Sequence, residues 1–379
     1  MQYNANPNPP QRSRKSGGKW GWIVLIIVAV ILFRSGLVRR ILDGVQNFGE
    51  SLFSFDLSVE SEAPKPDTHS NFPGSGALSL FTDTVTVGDS ALVNYRDAAL
   101  DYREDGAYTL DAAHAQNFEL FWPAGTVSIR PYDGDVVEIR ESAEGGISED
   151  QALRFGMDGT TFFVQYCTLG AAYTPLPAKD LTILLPRALA DAALFTKLET
   201  GASALTIEDL ALTDGAITAS SGSITADGLR AYGALKVTTA SGSAEIAGEI
   251  GELKFSSSSG ALRFAGGETL ATLDLSSTSG GITVSGNIHR IAAQTTSGRV
   301  EIASPICPYT LKAETTSGDI SLYLPDDADF TLDFSSVSGT LRSKLTVEEQ
   351  GGSYIRGDGI ARFAVTSSSG NLQLLPYAE

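Results

Sequence analysis

From residue 200 onward the chain repeats one short pattern of apolar and polar positions. Nine Ser-Gly or Thr-Gly turns mark it, with glycines at Gly201, Gly222, Gly242, Gly260, Gly280, Gly298, Gly318, Gly339 and Gly370. Successive glycines are 18 to 21 residues apart until the last gap, which is 31. Apolar residues stand seven and five positions before the glycine, as in Leu253 and Phe255, Leu273 and Leu275, or Leu311 and Ala313. Three positions before it the residue is small and hydroxylated: Thr239, Ser257, Ser277, Thr295, Thr315, Ser336, Ser367. Such a period of two predicts a strand with one buried face. After the glycine the apolar residues stand at plus two and plus four, as in Ile282 and Val284 or Val300 and Ile302. The inward set moves from odd to even offsets, so one residue is used in turning a corner. Glycine suits that corner because a left-handed backbone costs it little. A second corner is expected at Gly228, Gly248, Gly266 and Gly286.

No single repeat can bury its own apolar edge. Stacking coils at ~4.8 Å does so and pairs the backbone between coils. The expected fold is therefore all-β: a β-solenoid, single-stranded and β-helix-like, of ~20-residue coils, regular over residues 197–379. Nine coils would span roughly 40 Å. A sandwich of meandering hairpins is the rival reading. Residues 77–196 read as an irregular β-rich N-terminal cap with the first coils. Its strands are expected at Phe118–Trp122, Thr126–Arg130, Val136–Arg140, Thr161–Tyr166 and Leu181–Leu185, with Asp133-Gly134 as a hairpin turn between two of them. The long gap before Gly370 holds an insertion, Ser343–Gly359, expected to project from the rod.

Ahead of the β region, Trp20–Phe33 (WGWIVLIIVAVILF) is apolar and uncharged. It is short for a spanning helix, but Lys19 and Arg34 can snorkel and Ser35–Val38 extends it. Residues 20–38 are therefore expected to form one transmembrane helix, with Trp20 and Trp22 at an interface. A cleaved signal peptide is the rival; no small-x-small cleavage site precedes Arg34. Residues 1–19 read as a disordered cytoplasmic tail, and 39–76 as a juxtamembrane segment and linker. Four basic residues precede the helix and three follow it, which favours an N-terminus inside and the β domain outside the cell. The chain carries net charge −18. Residues 1–40 hold seven Lys or Arg and no acid; the remainder holds 20 basic against 45 acidic residues, net −25. An acidic body excludes nucleic acid and anionic lipid as its partners, while the basic head suits a cytoplasmic leaflet.

Candidate chemistry is sparse. His69, His114 and His289 are isolated from one another and from both cysteines, so no metal site is expected. No cofactor-binding motif is present. Cys167 and Cys307 are compatible with a disulfide or with two thiols. The serine just before each corner glycine, from Ser221 to Ser369, forms a ladder of hydroxyls expected to bond backbone at the corners; the rival is a ladder that binds glycan or ordered water. No column of stacked positions concentrates carboxylates. Glu245 beside Arg263 and Lys254 beside Asp274 read as cross-strand pairs. Asp133 and Asp135 are the nearest thing to a paired-acid site and read as turn residues. Arg356-Gly357-Asp358 spells a tripeptide that binds integrins in some proteins, and it is a candidate interaction loop; the same residues are ordinary turn chemistry.

The segments FELFWPAGTVSIRPYDGDVVEIRE (Phe118–Glu141) and KDLTILLP (Lys179–Pro186), followed by tandem TTASGSAEI, TSGGITV, TTSGRVEI, TTSGDISLYLP and VTSSSGNLQLL, resemble the bacterial "putative-adhesin" β-strand-repeat family, a domain-of-unknown-function group. The resemblance covers roughly residues 75–379. It implies a single-pass envelope protein with an outside β-solenoid, and it brings no catalytic residues. The function expected is a non-enzymatic, membrane-anchored surface protein, an adhesin or envelope scaffold whose partner is an envelope protein or cell-wall glycan. An accessory role in envelope-stress signalling through the helix is the alternative, and a polysaccharide-active β-helix enzyme a distant one.

Overall fold

Alternation of inward apolar and outward polar side chains shapes each strand. In Ala271–Ser277, Leu273, Leu275 and Ser277 are buried while Asp274 is exposed. A computed structural model describes residues 96, 98–168 and 177–378. The expected transmembrane helix, with the segments 1–19 and 39–76 around it, lies outside the described residues. Among those described, 25 strands are joined by loops and one four-residue helix, Arg187–Ala190.

Each coil supplies one strand before the corner and one after it. Equivalent strands of neighbouring coils pair in parallel, giving two ladders. In the first, Leu235, Leu253, Leu273, Ile291 and Leu311 are consecutive partners in one column, and none is more than 3% exposed. In the second, Leu205, Ile224, Ala244, Leu262, Ile282, Val300 and Ile320 form another buried column. Each Leu or Ile withdrawn from water contributes about 1.5–3 kcal/mol, so neighbouring coils hold each other in register through these columns. The two longest strands, Ile224–Thr239 and Ala244–Ser257, run on through the second corner; their pairing shifts register between Ala226 and Leu229, around Gly228 at φ +66°.

Eleven coils stack among the described residues, roughly 50 Å at the spacing of paired strands. Two more coils form than the glycine count implies, because the segments Thr161–Gln165 with Lys179–Pro186, and Asn117–Trp122 with Gly125–Tyr132, are themselves coils.

At both ends the stacking order departs from chain order. The last coil in sequence, Ala361–Ser367 with Leu372–Pro376, lies between Thr310–Leu324 and Phe330–Ser343. At the other end Asn117–Tyr132 lies between the coil of Thr161–Gln165 and Lys179–Pro186 and that of Leu194–Glu208. Coils of equal cross-section bury the same columns whichever neighbour they meet, so the register energy does not enforce sequence order.

The structure departs from two sequence expectations. Asp133-Gly134 is not a hairpin turn: Gly125–Tyr132 and Val137–Ser142 do not pair, but flank Lys179–Pro186, parallel on one edge and antiparallel on the other. The insertion after Ser343 does not project. Glu348–Gln350 and Ser353–Arg356 form a hairpin whose second strand pairs antiparallel with Phe330–Leu332, covering part of the C-terminal end. At the N-terminal end both ladders are covered, one by Val137–Ser142 backed by Ala107–Leu110, the other by Arg154–Asp158. These antiparallel strands close edges that would otherwise remain unpaired.

Candidate functional site

The repeated corner places one edge of every coil in line, and its chemistry begins with the glycines. None of the nine adopts the left-handed conformation expected from sequence. Glycine is required there by close approach. A Cβ on Gly242 would lie 1.9 Å from the carbonyl oxygen of Gly222, one on Gly298 2.1 Å from that of Gly280, and one on Gly370 1.8 Å from that of Gly318. One glycine was also placed wrongly. Because Leu205 pairs with Ile224, the residue in register with Gly222 is Ser203, not Gly201. Ser203 is fully buried and its Oγ donates to the Trp122 carbonyl at 2.9 Å.

From Gly242 onward the hydroxyl that ties the corner belongs to the residue three before the glycine; before Gly222 that place is held by Ala219. Thr295 Oγ1 accepts the Gly298 N–H at 3.0 Å and donates to the Gly280 carbonyl at 3.3 Å; Ser277 does the same with Gly280 and Gly260 at 2.9 and 3.3 Å. The serine just before the glycine has a looser role. Ser241, Ser259, Ser279, Ser297 and Ser317 are exposed, and those that reach backbone do so at long range, as Ser317 Oγ to Thr296 O at 3.4 Å. A line of hydroxyls therefore runs along the corner edge, open to water.

Just past this edge the side chains at plus one are small over four coils: Ser223, Ser243, Ala261 and Gly281. With Thr225, Glu245, Arg263 and Thr283 at plus three they line a shallow groove of about 270 Å³ that crosses the strands. In the next coils the plus-one residues are Arg299 and Asp319, which end the run of small side chains. Glu245 and Arg263 pair across the groove wall at 3.5 Å, as expected, with both side chains well exposed. Lys254 does lie in register with Asp274, but its ammonium closes instead on Glu252 of its own strand at 2.7 Å.

The strongest electrostatic feature was missed in the sequence. Lys179 occupies the corner position of the outermost N-terminal coil, in register with Gly125. No coil lies beyond it, so a long side chain fits where the other coils hold glycine or, once, the small Ser203. Lys179 Nζ pairs with Glu141 Oε2 of the capping strand at 2.8 Å, both side chains 1% exposed. The ammonium also donates to the carbonyls of Gln151 and Tyr166 and packs over the rings of Trp122 and Tyr166, 4.7 and 4.1 Å from their centroids. Glu141 Oε1 accepts the Leu153 N–H at 2.8 Å. Burial pulls the Lys179 ammonium below its ordinary value, and Glu141 opposes that pull. All three protons of the ammonium and both oxygens of the carboxylate have a protein partner, which makes the pair a clamp between cap and stack. The signal available in sequence was a lysine at a corner offset.

The remaining candidates are scattered. Arg356 is half-buried, and its guanidinium donates to the carbonyls of Thr346 and Asp326. Gly357 is left-handed at φ +67°, and the Asp358 N–H donates to Asp329 Oδ2 at 3.1 Å. Backbone N–H groups of Ile360, Asp358 and Gly359 hold the Asp329 carboxyl below the usual carboxylate range. The tripeptide is thus a turn fastening the end hairpin, with its arginine turned inward. Asp133 pairs with Arg187 at 2.8 Å on the surface, and Asp135 is exposed. His114 is exposed, His289 stacks on Tyr309 at 6.0 Å, and His69 lies outside the described residues. Cys167 follows a strand of the first coil and Cys307 lies between the eighth and ninth, so no disulfide joins them. Among the described residues no group of three or more His, Cys, Asp or Glu is placed to hold a metal ion.

The stack of parallel coils defines an all-β repeat domain. Residues 248–375 match the family model described as Toastrack DUF4097, so the family resemblance read from the sequence holds over that segment, from the sixth coil to the end of the stack. No curated protein matches the chain. Among solved structures, a "putative cell adhesion protein" from Clostridium sporogenes ATCC 15579 is similar at 10% identity over 71% of this chain and 97% of that one, with a TM-score of 0.21. A superposition that loose carries no argument about shared function.

Proposed function

We propose that this chain is a non-enzymatic surface protein, tethered to the cell membrane by residues 20–38, whose β-solenoid binds a polar polymer of the envelope along its corner edge. Cell-wall glycan is the partner whose chemistry suits the edge best. The observation that carries the reading is the groove over Ser223, Ser243, Ala261 and Gly281. It is a lateral, solvent-open surface rich in hydroxyls, and its one ion pair, Glu245 with Arg263, offers both a donor and an acceptor. Many weak polar contacts repeated from coil to coil suit a repeating ligand better than a small molecule. The tether reading rests on the uncharged run Trp20–Phe33 and on the contrast between a basic head and an acidic body. The N-terminus is then cytoplasmic and the β domain external.

Filling the groove tests this. Full-length protein carrying Ser243→Trp and Ala261→Trp should sediment with purified cell walls about tenfold more weakly than the unaltered chain, with an unchanged melting temperature. Equal sedimentation of the two proteins would exclude the groove, and failure of the unaltered chain to sediment would exclude wall glycan.

A further inference from the structure

The two ends of the stack are finished differently. At the N-terminal end each ladder has its own covering strand, and Lys179 and Glu141 seal the corner between them. At the C-terminal end the hairpin of Glu348–Gln350 and Ser353–Arg356 covers only Phe330–Leu332. The rest of the final coil, from Asp333 round the corner to Lys344, has no strand over it among the described residues. Leu341–Ser343 pairs on one side only, with Leu372–Leu374.

The core columns therefore surface at this end. Val365 and Leu372 of the penultimate coil are at most 1% exposed, whereas their partners in the final coil, Phe334 and Leu341, are half-buried. Val337, at the corner, is 81% exposed, the most of any large apolar side chain among the described residues. This corner position faces outward in the other coils too, where it holds polar or small residues: Ser220, Ala240, Ser258, Thr278, Thr296, Thr316 and Ser368. Valine stands only where no further coil follows it.

Charge tells what covers this surface. Arg342 and Lys344 are exposed on the second ladder's free edge. Asp333, Glu348 and Glu349 are exposed beside the first ladder's strand and its hairpin. One end thus presents a basic and an acidic half around an apolar centre. A surface of that kind complements itself under a two-fold rotation, the symmetry of an isologous contact. A protective edge would carry charge without an apolar centre.

We propose that the C-terminal end of the stack is a self-association surface, on which a second copy of this chain docks end to end, Val337 against the partner's corner and Arg342 and Lys344 against the partner's acids. The contact is independent of the lateral groove and needs no ligand. Its apolar centre is small, so it is a reversible dimer whose affinity falls with salt.

Cross-linking reads it directly. Full-length protein with Val337→Cys, held in mild detergent and gently oxidised, should give a disulfide-linked species of twice the chain mass. Tyr232→Cys, nearly as exposed at 73% on another edge of the stack, should give far less of it. Sedimentation of the chain without added cysteine should show a monomer–dimer equilibrium that Val337→Asp weakens about tenfold or more, with melting unchanged. Equal cross-linking at the two cysteines, a dimer indifferent to Val337→Asp, or a Val337→Cys adduct with a protein of another mass would each overturn the proposal.

Discussion

Gly298→Val should cost the stack about 3 kcal/mol or more, by forcing a side chain into backbone that is already in contact. The first atom of that side chain would lie 2.1 Å from the Gly280 carbonyl oxygen, 2.6 Å from its carbon and 2.8 Å from Thr295 Oγ1. Backbone cannot rotate away as a side chain can, and a shift of one coil disturbs the columns on both sides. For a domain of this size the melting temperature should fall by roughly 6–12 °C. Gly281→Ala is the control, since its Cβ would meet only the Arg299 carbonyl oxygen, at 3.5 Å. That substitution should shift melting by no more than a degree or two, within the range of ordinary surface changes of about 0.5 kcal/mol. Equal effects at the two positions would show that the corner glycines are not held by close approach.

Breaking the clamp at the other end should cost as much. Glu141→Leu leaves the Lys179 ammonium sealed between Trp122 and Tyr166 without a counter-charge, and Lys179→Met leaves the Glu141 carboxylate buried with the Leu153 N–H as its remaining described partner. Each single change is expected to destabilise the N-terminal coils by about 3–5 kcal/mol, the penalty for stranding a buried charge. The double variant should lose much less than the sum, because it strands none. Denaturant unfolding of the four proteins gives the coupling directly. Additive losses would mean that the pair acts as two independent side chains.

The lateral architecture was legible because it is local. Leu253, Leu273 and Ile291 repeat at fixed offsets, and the columns they form follow from that period and the corner. The order of the coils was not legible. Residues 361–376 carry the same pattern as residues 330–343, so nothing in it says which of them meets Thr310–Leu324. The reason for the corner glycines was misread for a related cause. A left-handed turn is a property of one residue and can be guessed from it, while contact with the next coil's carbonyl exists only once the coils are stacked. The groove was half visible. Ser223, Ser243, Ala261 and Gly281 share an offset, but their smallness matters only beside the larger Arg299 and Asp319 that follow. Lys179 lay just outside the strand expected at Leu181–Leu185 and drew no reading of its own, since its role depends on lying at an end.

The central claim is that coils of one cross-section stack by register and not by chain order. Paired cysteines at the exposed corner test it, because neighbouring parallel strands sit within disulfide reach and second neighbours do not. Thr316 is in line with Ser368, and Ser368 with Val337. Thr316→Cys with Ser368→Cys should therefore close an intramolecular disulfide, and Thr316→Cys with Val337→Cys should not. Closure of the second pair and failure of the first would place the coils in sequence order and contradict the account.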